Sequence, residues 1–312
     1  MERLFIVGTG RMGLALGHAL MRSGEVEELT YSGRHPEPPD HPLFTGGQAR
    51  YVYGLERPGD GTTVVLLAVP DPMVPEMAEA LAGRGVAPQG CCALHLAGGL
   101  AVEVLAPLHA RGYSVGSIHP FQTVTHPGVG VDRLFGSAFG LSGESEAVQA
   151  GRRLARALGG MPLEVPALRR PLYHVAGVLT SNGVLALLDL SADLLGRSGL
   201  DPEDARQAVV ALALGTLENA RMSGFRPAMT GPVVRGDLEA VSLHLRALDP
   251  DDAQFYRVLA LRILRSAMEA GIQVPGAQEM ESLLASGGGP RLKESASSRS
   301  PEEDVDATVR EH

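Results

Sequence analysis

Residues 117–123 read Ser-Ile-His-Pro-Phe-Gln-Thr and close a short apolar run. A proline fixes its own backbone and restrains the residue before it, so His119 would be presented rigidly at the end of a strand. Its imidazole could give a proton or a hydrogen bond to a carbonyl or imine, with Ser117 beside it as a substrate contact. The competing reading is a histidine that caps a turn. A second set is Tyr173, His174, Ser181 and Asn182, carried on an otherwise apolar helical segment. Positions 174 and 181 lie two helical turns apart and share a face, with Asn182 next to it. Polar groups on such a helix need partners, supplied by neighbouring helices or by a ligand. The third set lies in Met229–Asp237. There Thr230 and the amides that follow it could hold a substrate carboxylate, with Arg235 as a bidentate cation. The alternative is an ordinary interhelical turn capped by Thr230, with Arg235 paired to Asp237 or Glu239. His119, His174 and Asn182 are the candidate catalytic groups; Ser117, Ser181, Thr230 and Arg235 are candidates for binding substrate.

A donor or acceptor of hydride would have to sit beside these groups, and the N-terminus offers a place for one. Leu4–Val7 is an apolar strand that runs into Gly8-Thr9-Gly10-Arg11-Met12-Gly13 and then a helical run. In G-x-G-x-x-G the first glycine makes a tight turn, the second lets a pyrophosphate approach the backbone, and the third packs helix on strand. The second strand should end near Ser32-Gly33-Arg34. No carboxylate stands there to hold a ribose 2′-hydroxyl, whereas the Arg34 guanidinium suits a 2′-phosphate. NADP is therefore expected over NAD, with Val69, Pro70 and Asp71 at the next strand end beside the nicotinamide ribose.

The elements that must position these groups alternate. Strands are expected at 4–7, 28–32, 62–69, 91–97, 114–118, 138–142 and 163–165, with helices at 74–83, 102–111 and 146–158 between them. That alternation predicts a doubly wound α/β dinucleotide-binding domain of the Rossmann type over 1–166. From 168 the strand signal ends and helical patterns follow at 168–198, 202–223, 235–247, 251–271 and 276–285, an all-α domain over 167–286. The first of these helices is apolar on nearly every side, so a homodimer through the helical domain is expected. Residues 287–312, rich in glycine, serine and charge, read as a disordered tail.

The net charge of −9, without a basic run, argues against nucleic acid. The only cysteines are the adjacent Cys91 and Cys92, which support neither a disulfide framework nor a metal site and fit a core strand. Ser181, Asn182, Asp189 and Asp193 make the apolar stretch 175–195 too polar for a lipid-spanning helix. With no cationic leader ahead of the first strand, a cytoplasmic protein is expected.

Taken together, G-T-G-R-M-G, S-I-H-P-F at 117–121, Y-H-V-A-G-V-L-T-S-N at 173–182 and T-G-P-V-V-R-G-D at 230–237 resemble the Rossmann-like proteins that carry a DUF2520 domain. The resemblance spans about residues 1–285. It is similar in architecture to ketopantoate and pyrroline-5-carboxylate reductases, and implies NADP-dependent reduction of a small 2-oxo acid or imine. The dehydrogenases of that wider group often place a lysine early in the long interdomain helix; here the nearest match is His174. Lys293 is the single lysine of the chain, so no lysine acid can serve in 1–290. A non-catalytic NADP-binding sensor is the alternative implied by that loss.

Overall fold

The computed structural model describes residues 1–286; the tail expected at 287–312 lies outside them. Eight strands form one sheet: β1 Glu2–Val7, β2 Val26–Gly33, β3 Arg50–Tyr53, β4 Val64–Leu67, β5 Cys92–His95, β6 Ser114–Pro120, β7 Ala138–Gly143 and β8 Met161–Glu164. Their order is β3-β2-β1-β4-β5-β6-β7-β8. The chain runs outward from β1 in one direction and then, from β4, in the other, so the strand order reverses beside β1. In open α/β sheets that switch point is where ligands sit, at the carboxyl ends of the strands.

Helices α1 Arg11–Arg22, α2 Pro42–Thr45, α3 Val74–Ala82, α4 Ala106–His109, α5 Pro127–Leu134 and α6 Ser145–Ala157 connect the strands. Side chains alternate across the sheet as the period of two requires. Leu4 and Ile6 pack with α1, α5 and α6 on one face. Phe5 and Val7 pack with α3 and α4 on the other. Cys91 and Cys92 are both free and buried, one on each side, and burial pushes the Cys91 thiol up to about 12.

Several features depart from the reading of the sequence. The helix expected at 102–111 is a 3-10 turn, Val102–Leu105, followed by the four-residue α4; Pro107 removes an amide there and a new helix start replaces the continuous ladder. Helix α5 was not foreseen, because Pro-Gly-Val-Gly gives little helical signal. Its cap is the His126 ring, which accepts from the Gly128 amide. β7 runs antiparallel to β6, while the other neighbouring strands are parallel. The connection, residues 121–137, carries α5, which packs against α1.

Beyond β8 come α7 Arg170–Val178, a π-turn at Leu179–Gly183, α8 Val184–Arg197, α9 Pro202–Ser223, α10 Pro232–Arg235, α11 Leu238–Ala247, α12 Pro250–Glu269 and α13 Ala277–Ala285. Asp201, Asp237 and Asp249 cap α9, α11 and α12, each accepting from a first-turn amide. The chain divides into two compact units, one ending at Leu190 and one beginning at Ser191. The break thus falls inside α8 rather than at 166/167, because α7 is fastened to the sheet by side chains described below. The second unit has its own core of Val233, Val241, Ala260, Leu264, Met280 and Leu284.

Candidate active site

The glycine loop is built as its sequence requires. Gly8 has φ +109°, and a Cβ there would lie 2.6 Å from the Ala68 carbonyl oxygen. A Cβ on Gly13 would meet the Gly8 carbonyl oxygen at 2.8 Å and the Ala68 methyl at 2.9 Å, so this glycine sets how closely α1 approaches the sheet. At Gly10 the nearest atom to such a Cβ is 3.9 Å away, leaving the backbone open to a ligand. No side chain caps α1, and its first amides and positive dipole end stand free for an anion. Thr9 flanks the loop, Met12 packs on the core, and the exposed Arg11 donates to the Thr125 carbonyl at 3.3 Å.

At the end of β2, Arg34 is exposed, and among the described residues it has no hydrogen-bond or ion-pair partner. Ser32 is not free to help: it is buried, and its hydroxyl donates to the Gly54 carbonyl at 2.7 Å. Gly33 leaves room for the Tyr51 phenol. Val69 borders the Gly8 turn, Pro70 precedes a 3-10 turn, and the Asp71 carboxylate that opens it is exposed. An uncapped helix end and an open glycine could hold the pyrophosphate of a dinucleotide, with the Arg34 guanidinium unpaired at the end of the second strand.

Two strands beyond β4, the end of β6 presents His119. Its Nδ1 lies 3.0 Å from the Tyr173 hydroxyl oxygen, and that hydroxyl donates to the His119 carbonyl at 3.3 Å. Both contacts are satisfied when Nδ1 carries the hydrogen, which leaves Nε2 as a lone pair. The ring centroids of His119 and His174 are 6.1 Å apart, and those of His119 and Tyr173 5.5 Å. Gly140, opposite His119 on β7, gives the Tyr173 ring its space. Gly98 lies where the two histidines converge: a Cβ there would sit 2.6 Å from His174 Nδ1 and 2.8 Å from His119 Nε2. Burial, reinforced by His174 and Arg170, pushes the His119 imidazole down to about 4, so it is neutral near pH 7. His95, fully enclosed at the end of β5, is pushed down to about 3 mainly by burial.

Beneath this pair lies Arg170, 1% exposed. Its Nε donates to the Leu100 carbonyl at 2.7 Å, Nη1 to the hydroxyls of Ser117 at 2.6 Å and Ser142 at 3.1 Å, and Nη2 to the carbonyls of Ala97 at 2.6 Å and Gly98 at 3.1 Å. All five donors are used, all on uncharged acceptors. Sequence reasoning passed over this residue. The available signal was a cation in the first turn of a helix, where the dipole disfavours it.

Ser117 is 1% exposed and holds Arg170. Its expected substrate contact gives way to a buried hydrogen bond. Ser181 donates to the Gly177 carbonyl at 2.7 Å, and the π-turn that contains it breaks the 3.6-residue period on which its alignment with His174 rested. Asn182 is exposed in the same turn. Single-turn π-bulges of this kind recur at functional sites. Thr230 and Arg235 are exposed in the second unit. The N-cap there is Gly231 without a side-chain bond, not Thr230, and α10 has only four residues, too short to focus a dipole on an anion.

Residues 137–263 match a family model described as a domain of unknown function, DUF2520, and residues 49–120 match a Rossmann-like domain model. None of the curated proteins matches the chain. Among solved structures, a Thermotoga maritima protein is 22% identical with a TM-score of 0.68, covering 86% of this chain and 99% of its own. A Bacteroides fragilis protein provisionally named an NADP oxidoreductase is 21% identical with a TM-score of 0.66, over 84% of this chain and 97% of its own. Pyrroline carboxylate reductase from Plasmodium falciparum, with NADP bound, is 13% identical with a TM-score of 0.58, over 91% and 98%. At these identities the likeness is one of fold.

Proposed function

We propose, for a chain that carries a Rossmann-like domain and a DUF2520 domain, an NADPH-dependent reductase of a small 2-oxo acid or cyclic imine. The observation that carries this reading is the open Gly8–Gly13 cradle with the unpaired Arg34 at one end of the switch point and His119 with His174 further along the same strand ends. The amides at the start of α1 would hold a pyrophosphate, and Arg34 a 2′-phosphate. A nicotinamide bound there supplies the hydride. The chain's own part is to orient the acceptor and manage one proton. His119 is neutral and held by Tyr173, so it acts as a fixed hydrogen-bonding partner rather than a cationic acid. His174, half-buried and beside it, is the group left to deliver the proton. Asn182 is the candidate for orienting the substrate oxygen.

Titration of NADPH and NADH into the wild type and Arg34→Ala tests the cofactor site. NADPH affinity should fall at least about tenfold in the variant, the loss of one charge-assisted pair, with NADH little changed. Failure of both cofactors to bind would remove the reductase reading. The absence of any lysine from 1–290 favours a second reading, a nucleotide sensor without catalysis. Oxidation of NADPH in the presence of oxo acids and imines separates the two.

We also propose a homodimer through the helical region. Leu172, Val175, Leu179 and Leu185 of the long helix and Leu212, Leu214 and Leu217 of α9 are exposed in the single chain. The segment Ala167–Arg197 is long and apolar enough to cross a membrane, with a mean hydropathy of 1.5 over its most apolar 18 residues. A second protein surface suits it better than lipid, because Arg170, Tyr173 and His174 at its start are engaged with the sheet, and Arg197 at its end bonds Asp249 and Asp252.

A further inference from the structure

We propose that Arg170 is the positioning residue of this site: by holding the Ala97 and Gly98 carbonyls it pins the Gly98–Gly99 turn against His119 and His174 and fixes the distance between the two imidazoles. The proposal rests on the reading of these histidines as the proton-handling groups. It concerns how they are held and not which substrate they serve.

Three observations converge. First, the guanidinium joins four segments that are far apart in sequence: the turn after β5 through Ala97, Gly98 and Leu100, β6 through Ser117, β7 through Ser142, and its own helix α7. Second, the turn it holds is the one both histidines touch. The fit at Gly98 leaves no room for a methyl group between His119 Nε2 and His174 Nδ1, so a small displacement of this turn alters the geometry of both rings. Third, the arginine is buried without a carboxylate bonded to it, an arrangement that costs folding energy and that apolar packing would not incur. Asp71 acts on it only through space. A buried cation retained among neutral acceptors fits a role in geometry and local field better than one in stability.

The groups that bear on His119 are Arg170, Tyr173 and His174 from α7 and His95 from β5. Arg170 contributes to keeping His119 uncharged, so removing the arginine should be visible in that ring before any substrate is known.

The test is NMR of the full-length protein with labelled histidines, the rings assigned through His119→Gln and His174→Gln, comparing wild type, Arg170→Lys and Arg170→Met. NADPH binding is measured alongside. In the wild type His119 should stay neutral down to about pH 5, with a cross-peak between the two rings. In Arg170→Met its titration should move up by about one pH unit, as expected for loss of a nearby cation, and the cross-peak should weaken. Arg170→Lys, which cannot reach all five acceptors, should fall between. A folded Arg170→Met with unchanged titration and cross-peak overturns the proposal. If that variant does not fold, Arg170→Lys decides, because it keeps a cation but loses the fork that holds the Ala97 and Gly98 carbonyls: a retained cross-peak of full strength overturns the proposal, whereas a weakened one supports it. Absence of NADPH binding in the wild type would sink the reductase reading and leave the positioning result to stand on the ring data.

Discussion

At the scale of single residues, the site is defined by histidines that burial keeps uncharged. Burial pushes His95 and His119 down to about 3 and about 4 in the folded chain, below the ordinary histidine value near 6.5, and lowers His18 and His41 as well. Between those folded values and 6.5 the unfolded chain binds protons that the folded chain refuses. Stability should therefore rise with pH through this window and be lost as pH falls from about 6.5 toward 3, at about 1.4 kcal/mol per pH unit for each such histidine. Calorimetric melting between pH 7 and 4 checks it, and His95→Leu should flatten the profile. The shape of the glycine loop was legible because it rests on a local rule, a backbone that only glycine tolerates, and the place of His119 at a strand end was legible from its proline; the role of Arg34 is proposed from a strand end lacking a carboxylate. Arg170 was not, since its meaning comes from five acceptors scattered between residues 97 and 142, which no spacing in the sequence records.

At the scale of elements, the patterns that rest on composition held and those that rest on unbroken periodicity failed. The helices after 200 lie close to their expected bounds because Asp-Pro starts at 201–202 and 249–250 mark them. The helix after β5 was misjudged at Pro107 and the long helix at its π-turn, where one inserted residue is invisible in an apolar run. The turn between β5 and that broken helix is the most sensitive short segment. Gly98→Ala should drive its methyl into both histidines and lower turnover about 100-fold, in line with an ångström-scale misplacement, with NADPH affinity unchanged within about twofold. Steady-state kinetics with an accepted substrate and cofactor titration provide the comparison, and equal losses in both would show a general collapse instead.

At the scale of the molecule, the exposed leucines of α9 set the expectation for assembly. Leu212, Leu214 and Leu217 are 72%, 62% and 56% exposed, more apolar surface than a soluble monomer leaves uncovered. Light scattering at micromolar concentration should give twice the chain mass, and Leu212→Glu with Leu214→Glu should return the protein to monomer. A wild type that stays monomeric would refute the dimer. The two-part organisation was legible as the change from alternating to purely helical patterns, but the point of division was not, since compositional change at 166 and structural division at 190/191 have different causes. The grip of Arg170 on the carbonyls and hydroxyls around β5, β6 and β7 also bears on the order in which the chain is made. Every strand of the sheet has left the ribosome before residue 170 has, yet the turn that carries Gly98 lacks its anchor until that one arginine arrives. The last piece of the nucleotide-binding half is thus carried on the first turn of the helix that leads out of it.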